Sequence, residues 1–216
     1  MRFSGRKFRF KNAVYALDST IITLCAEVYD WAHYTHSKGA VKLHTLLNFS
    51  TLLPEYVHIT DGKAGDNTAA RHVQVKPGSI VVSDRGYFDT RLLNFWDSTK
   101  VFFVVRVKDN LIYECMEERD LPDNAHPEVL IDEIVILKGN GTARQYPRPI
   151  RRIAVYNARH DFTIELLTNN MKLSAGTIAG LYKARWDVEV FFRNLKQNFH
   201  IKSFVGTSSN AVEIQI

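Results

Sequence analysis

Tyr182-Lys-Ala-Arg-Trp-Asp-Val-Glu-Val-Phe-Phe-Arg-Asn-Leu-Lys196 contains neither proline nor glycine and predicts one continuous helix. At about 100° per residue, Tyr182, Arg185, Glu189 and Lys196 fall within about 60° of one another on its wheel. Ala184, Val188, Phe191 and Leu195 form an adjoining apolar stripe, and Lys183, Asp187 and Asn194 lie opposite. The edge of the core-facing stripe therefore carries a phenol, two cations and a carboxylate in a row about 20 Å long. That row suits a metal ion gripping a phosphate backbone. It equally suits a solvated helix in which Arg185 and Glu189 pair at i,i+4.

The 216 residues are enough for one good core, or for a core with an inserted subdomain. Apolar content of 45% and charged content of 24% are those of a globular protein. A net charge of +5 permits a polyanionic partner. Cys25 and Cys115 stand far apart, form neither a disulfide framework nor a zinc pattern, and fit a reducing cytoplasm. The longest apolar run, Val101–Val105, is too short to span a bilayer, so no membrane partner is expected. Arg2, Arg6, Lys7, Arg9 and Lys11 alternate with Phe3, Phe8 and Phe10 in a basic lead-in, either a nucleic-acid-binding arm or a solubilising tail.

Upstream of the helix, residues 14–24 read as a buried strand interrupted by Asp18. A carboxylate there is costly unless protonated, paired or bound to a metal, although Asp18 also suits the start of a turn. Residues 41–49 and 55–60 alternate as two further strands of an antiparallel meander, and His44 and His58 within them read as core or edge residues. Asp66-Asn67 is positioned to cap a helix running through Val75. Ser79-Ile-Val-Val-Ser-Asp84 follows as a short buried strand with Asp84 at its carboxyl end, where open α/β sheets place their sites. Asp89 caps a helix over Thr90–Asp97, and residues 101–107 form a fifth strand.

The spacing Tyr182, two residues, Arg185, three residues, Glu189, six residues, Lys196 resembles the signature of DDE transposases of bacterial insertion sequences. Leu17-Asp18-Ser19-Thr20, Gly39–His44, Ile59–Gly62 and Asp84-Arg-Gly-Tyr87 are similar to that family's core, so the resemblance runs from about residue 13 to the end. It implies an α/β fold, an RNase H-like core with a mixed five-stranded sheet, flanking helices and a β-rich insertion before the last acidic helix. The expected division is 1–12 as lead-in, 13–108 and 169–216 as catalytic core, and 109–168 as an insertion outside the core sheet. Within the insertion, residues 132–137, 150–156 and 162–167 read as strands, and Arg144, Arg148, Arg151, Arg152 and Arg159 make either a DNA-contacting surface or a solvated one. Ser174 is expected to cap a single final helix, Ala175–Asn198.

The resemblance assigns Asp18, Asp84 and Glu189 as catalytic ligands of two Mg²⁺ ions, with Mn²⁺ able to substitute. Two such ions about 3.5–4 Å apart suit in-line displacement at phosphorus. It assigns Tyr182, Arg185 and Lys196 to the DNA strand, while Trp186 is placed either to stack on a base or to pack against the insertion. Double-stranded DNA (transposon ends and target), a dimer in the synaptic complex and a bacterial cytoplasmic, nucleoid-associated location are implied as well. Asp18 follows Met1 by only 17 residues, and Asn210–Glu213 reads as a capping box shortly before the last residue. The expectation is a transposase catalytic domain truncated at both ends that does not transpose alone. The alternatives are an inactive DNA-binding fragment and an RNase H-like nuclease that cuts without joining.

Overall fold

The computed structural model describes residues 12–24, 33–35, 38–107, 110–121, 127–158, 161–198 and 206–215. The basic lead-in through residue 11, Cys25 and Arg159 lie outside the described residues. The strands are β1 (Val14–Leu24), β2 (His33–Thr35), β3 (Lys38–Asn48), β4 (Pro54–Asp61), β5 (Ile80–Ser83), β6 (Phe102–Arg106), β7 (Tyr113–Glu118), β8 (Val129–Leu137), β9 (Ile150–Asn157) and β10 (Phe162–Thr168). The helices are α1 (Asp66–Ala70), α2 (Thr90–Ser98), α3 (Thr142–Gln145), α4 (Ala175–Ala184), α5 (Trp186–Asn198) and α6 (Ser209–Gln215). No helix among the described residues is long and apolar enough to cross a membrane.

β1 pairs antiparallel with β3 and β3 antiparallel with β4, while β1, β5 and β6 run parallel. The order β4-β3-β1-β5-β6, with helices on both faces, is that of an RNase H-like core. The alternation of β1 divides the packing. Tyr15 and Leu17 join Val81, Leu92, Trp96 and Phe103 on the face covered by α2. On the other face Val14 joins Val82, Val104, Ile178 and Tyr182 under α4, and Ala16 joins Leu47, Val188 and Phe192 under α5.

Three expectations need correction. The strands of 109–168 do not stand outside the core sheet: β10 pairs antiparallel with β6, and β9, β8 and β7 follow, giving one ten-stranded sheet. β6 would otherwise present an open edge of unpaired backbone groups, and buried Leu166 and Leu167 seal that edge. The final helix is also not continuous. At Arg185 (φ −54°, ψ −28°) the N–H of Arg185 bonds to Tyr182 O at 3.2 Å and that of Val188 to Arg185 O at 3.0 Å. A turn closed by such i→i+3 bonds advances about 120° per residue rather than 100°, which shifts the face that follows. Phe192 is accordingly 6% exposed, while Phe191 and Leu195 pack only at its margin. Third, the helix from Asp66 ends at Ala70 rather than Val75, and its N-cap is Gly65, with no side-chain bond.

Asp89 and Ser174 cap α2 and α4 as expected, Asp89 accepting from the amides of Arg91 and Leu92, and Ser174 from that of Thr177. α6 begins earlier than the capping box at Asn210 suggests: Ser208 Oγ accepts from Ala211 N.

Candidate active site

The parallel register Val14↔Ile80 to Leu17↔Ser83 has a constant offset, and one further residue on each strand sets Asp18 beside Asp84. The two acids thus stand level on neighbouring strands, at the carboxyl end of β5. The Asp84 carboxylate accepts from Gly86 N at 2.8 Å and caps the short 3₁₀ turn Arg85–Tyr87. Asp18 Oδ1 accepts from its neighbour's amide, Ser19 N, at 2.8 Å.

α5 brings the third acid. Val188 and Phe192 seat it on Ala16, two residues before Asp18 in β1, and on Leu47, the β3 partner of Ala16. Arg185, at the tightened turn, donates from Nη1 to Asp18 Oδ2 at 2.6 Å and from Nη2 to Glu189 Oε1 at 3.1 Å. Its guanidinium lies over the Tyr182 ring, 5.7 Å from the centroid. Among the described residues no three His, Cys, Asp or Glu side chains are close enough together to enclose a metal ion. Between Asp18 and Glu189 stands the fork of Arg185.

Burial pushes the Asp18 carboxyl up to about 6; Arg185 and the Ser19 amide oppose this, and Asp84 and Glu189 add to it. Burial likewise raises the Tyr182 phenol.

The four residues expected to meet DNA separate into two pairs. Tyr182 and Arg185 are 7% and 8% exposed, and their partners lie within the protein. Trp186 is 52% exposed, and Lys196 lies on the exposed side of α5. The arginine surface expected on the outer strands is corrected in part. Arg151 donates to both oxygens of Asp132 at 2.7 and 2.6 Å, and Arg152 reaches Glu133 at 2.6 Å and Glu165 at 2.7 Å. Both are buried, because adjacent residues of β9 face opposite sides and each finds an acid there. Arg144 and Arg148 are exposed, with Arg148 paired to Asp97.

The transposase DDE domain family matches residues 9–216. This chain belongs to that family. A protein of Sinorhizobium fredii named as a transposase, y4zB, is 33% identical over 202 residues, covering 93% of this chain and 56% of its own. A protein of Geobacillus stearothermophilus named as the transposase of insertion sequence element IS5377 is 30% identical over 215 residues, covering 100% of this chain and 56% of its own. A protein of Synechocystis named for insertion sequence element IS4SA is 23% identical over 214 residues. The chain spans about half the length of these relatives.

Reading the sequence alone did not find Asp66 as part of the site. Its Oδ1 accepts from Ser19 Oγ at 2.7 Å and pairs with Lys42 Nζ at 2.9 Å. No local signal separates a capping aspartate from this one. The pairing Ser19↔His44, with Lys42 two residues away on the same face of β3, would have pointed to it.

Proposed function

We propose that this chain is the catalytic core of a transposase, in which Asp18, Asp84 and Glu189 hold divalent cations for cleavage and joining of DNA strands. The observation carrying this reading is the level placement of Asp18 and Asp84, with Arg185 bridging Asp18 to Glu189. The donors fit the group by their chemistry, being hard oxygen ligands of the kind Mg²⁺ selects, and the three carboxylates would have to draw together around it. The raised Asp18 carboxyl marks a place where further positive charge is favoured. Bound there, two Mg²⁺ ions would supply an activated oxygen nucleophile and stabilise charge on the leaving oxygen.

The chain's own residues supply orientation. Ser19 N and Gly86 N direct the first two carboxylates, and Arg185, backed by Tyr182, directs Asp18 and Glu189. Lys196 pairs with a phosphate of the bound strand and Trp186 offers an exposed aromatic face to a base. The DNA is double-stranded, comprising transposon ends and target, and two copies act in the synaptic complex.

The test is incubation of the purified chain with supercoiled plasmid and with transposon-end duplex in Mg²⁺ or Mn²⁺. Metal-dependent nicking that Asp18→Asn, Asp84→Asn and Glu189→Gln each abolish supports the reading, and joined product establishes strand transfer. Nicking without joining leaves a nuclease. Binding with no cleavage under either ion would overturn the catalytic assignment.

A further inference from the structure

Asp18 and Ser19 are neighbours in an extended strand and so direct their side chains to opposite faces of the sheet. Asp18 meets Arg185 on the face covered by α5, and Ser19 meets Asp66 on the face covered by α1. The same Ser19 holds Asp18 Oδ1 through its backbone N–H. A second, parallel connection exists at the other acid. Gly86 N holds Asp84 Oδ1, and a Cβ on Gly86 would stand 3.1 Å from both Asp66 Oδ2 and Asp84 Oδ1. A side chain at 86 would require both carboxylates to give way by a few tenths of an ångström.

One carboxylate thus bonds to Ser19 and lies beside Gly86, the two residues whose amides orient the two sheet acids. Its Oδ1 is satisfied by Ser19 Oγ and by Lys42 Nζ, and Lys42 also donates to Ala64 O at 3.3 Å, tying β3 to the loop before α1. Lys42 pairs with Asp66 and offsets its charge close to Asp84.

We propose that Asp66 is a positioning residue that fixes Asp18 and Asp84 from the face of the sheet opposite Arg185, acting through Ser19 and Gly86. Its catalytic meaning rests on the reading of Asp18 and Asp84 as cation ligands, and the orienting contacts do not.

The first readout needs neither metal nor DNA: amide hydrogen exchange of the metal-free chain, with Thr177, held by Ser174 at the start of α4, as internal control. Asp66→Ala should speed exchange at Ser19 and Gly86 by about tenfold or more while Thr177 is unchanged. Asp66→Asn keeps an oxygen for Ser19 Oγ and should restore protection at Ser19. Gly86→Ala should disturb position 86 and leave Ser19 protected. The second readout is Mn²⁺ binding by electron paramagnetic resonance. Substituting an outer partner of a ligand weakens binding by about 10- to 100-fold, and Asp66→Ala should fall in that range. Unchanged exchange at Ser19 and Gly86 would overturn the proposal. So would an equal acceleration at Thr177 in both Asp66 variants, which marks a role in general stability. If the two amides loosen but Mn²⁺ binds equally to wild type and Asp18→Asn, positioning stands and the cation-holding reading fails.

Discussion

Arg185 Nη1 lies 2.6 Å from Asp18 Oδ2, joining residues 167 positions apart in the chain. The other arm of the same fork reaches Glu189, so one side chain ties β1 to α5. A lysine ammonium carries the charge without the fork. Arg185→Lys should therefore move the Asp18 carboxyl above its value of about 6 and lower stability by about 1–2 kcal/mol. Carboxyl-carbon NMR titration and urea unfolding read both, and an Asp18 midpoint that stays put refutes the assignment.

Asp18 and His44 act oppositely on acid stability. Burial holds His44 neutral, down to about 4 from 6.5, so stability falls as pH drops through that window. Asp18 is raised from 3.8 to about 6, so the ionised folded state carries a penalty, fully present above 6 and lost as pH falls through 6 towards 3.8. The penalty is on the order of 2 to 3 kcal/mol. Metal-free Asp18→Asn should then be more stable than wild type at pH 7 by about that amount, with the gain vanishing near pH 4. With one slope removed, the variant should lose stability more steeply between pH 6 and 4, as thermal melts across that range would show. An Asp18→Asn chain no more stable than wild type at pH 7 contradicts the direction of the shift.

Arg151→Met should cost about 3 kcal/mol, because it leaves buried Asp132 with only the more distant Arg119, 3.9 Å away, as a cation. Adding Asp132→Asn to Arg151→Met should recover part of the loss. Chemical unfolding of both single variants and the double gives the coupling, and strict additivity would mean that the two residues do not cooperate.

Lys196→Ala should weaken DNA binding and lower the slope of log affinity against log salt by about one unit, the loss of one phosphate contact. Metal binding should be nearly unchanged, since Lys196 stands about 10 Å along α5 from Glu189. An unchanged slope places Lys196 away from the strand.

Much of the central sheet was legible because its strands announce themselves locally. β1, β3, β5 and β6 are rich in β-branched and apolar residues, and the caps Asp89 and Ser174 need only their own helix. The level placement of Asp18 and Asp84 follows from one register offset once β1 and β5 are paired. β7 was not legible: Tyr113–Glu118 is an exposed outer strand with no buried face to impose alternation. The break at Arg185 was hidden for a different reason. Neither proline nor glycine marks it; the pull of Asp18, distant in sequence, accompanies it. Arg151 and Arg152 read as surface charge because their acids come from β8 and β10, which only tertiary pairing brings beside them.

Arg151 also donates to the carbonyls of Asn170 and Leu173, immediately before the cap of α4. The outer strands therefore hold the origin of the helical pair that delivers Arg185 and Glu189. Anyone trimming this protein to a smaller core would meet that bond first. Excising the outer hairpins would save length but remove the bonds from Arg151 that anchor the start of the helical arm.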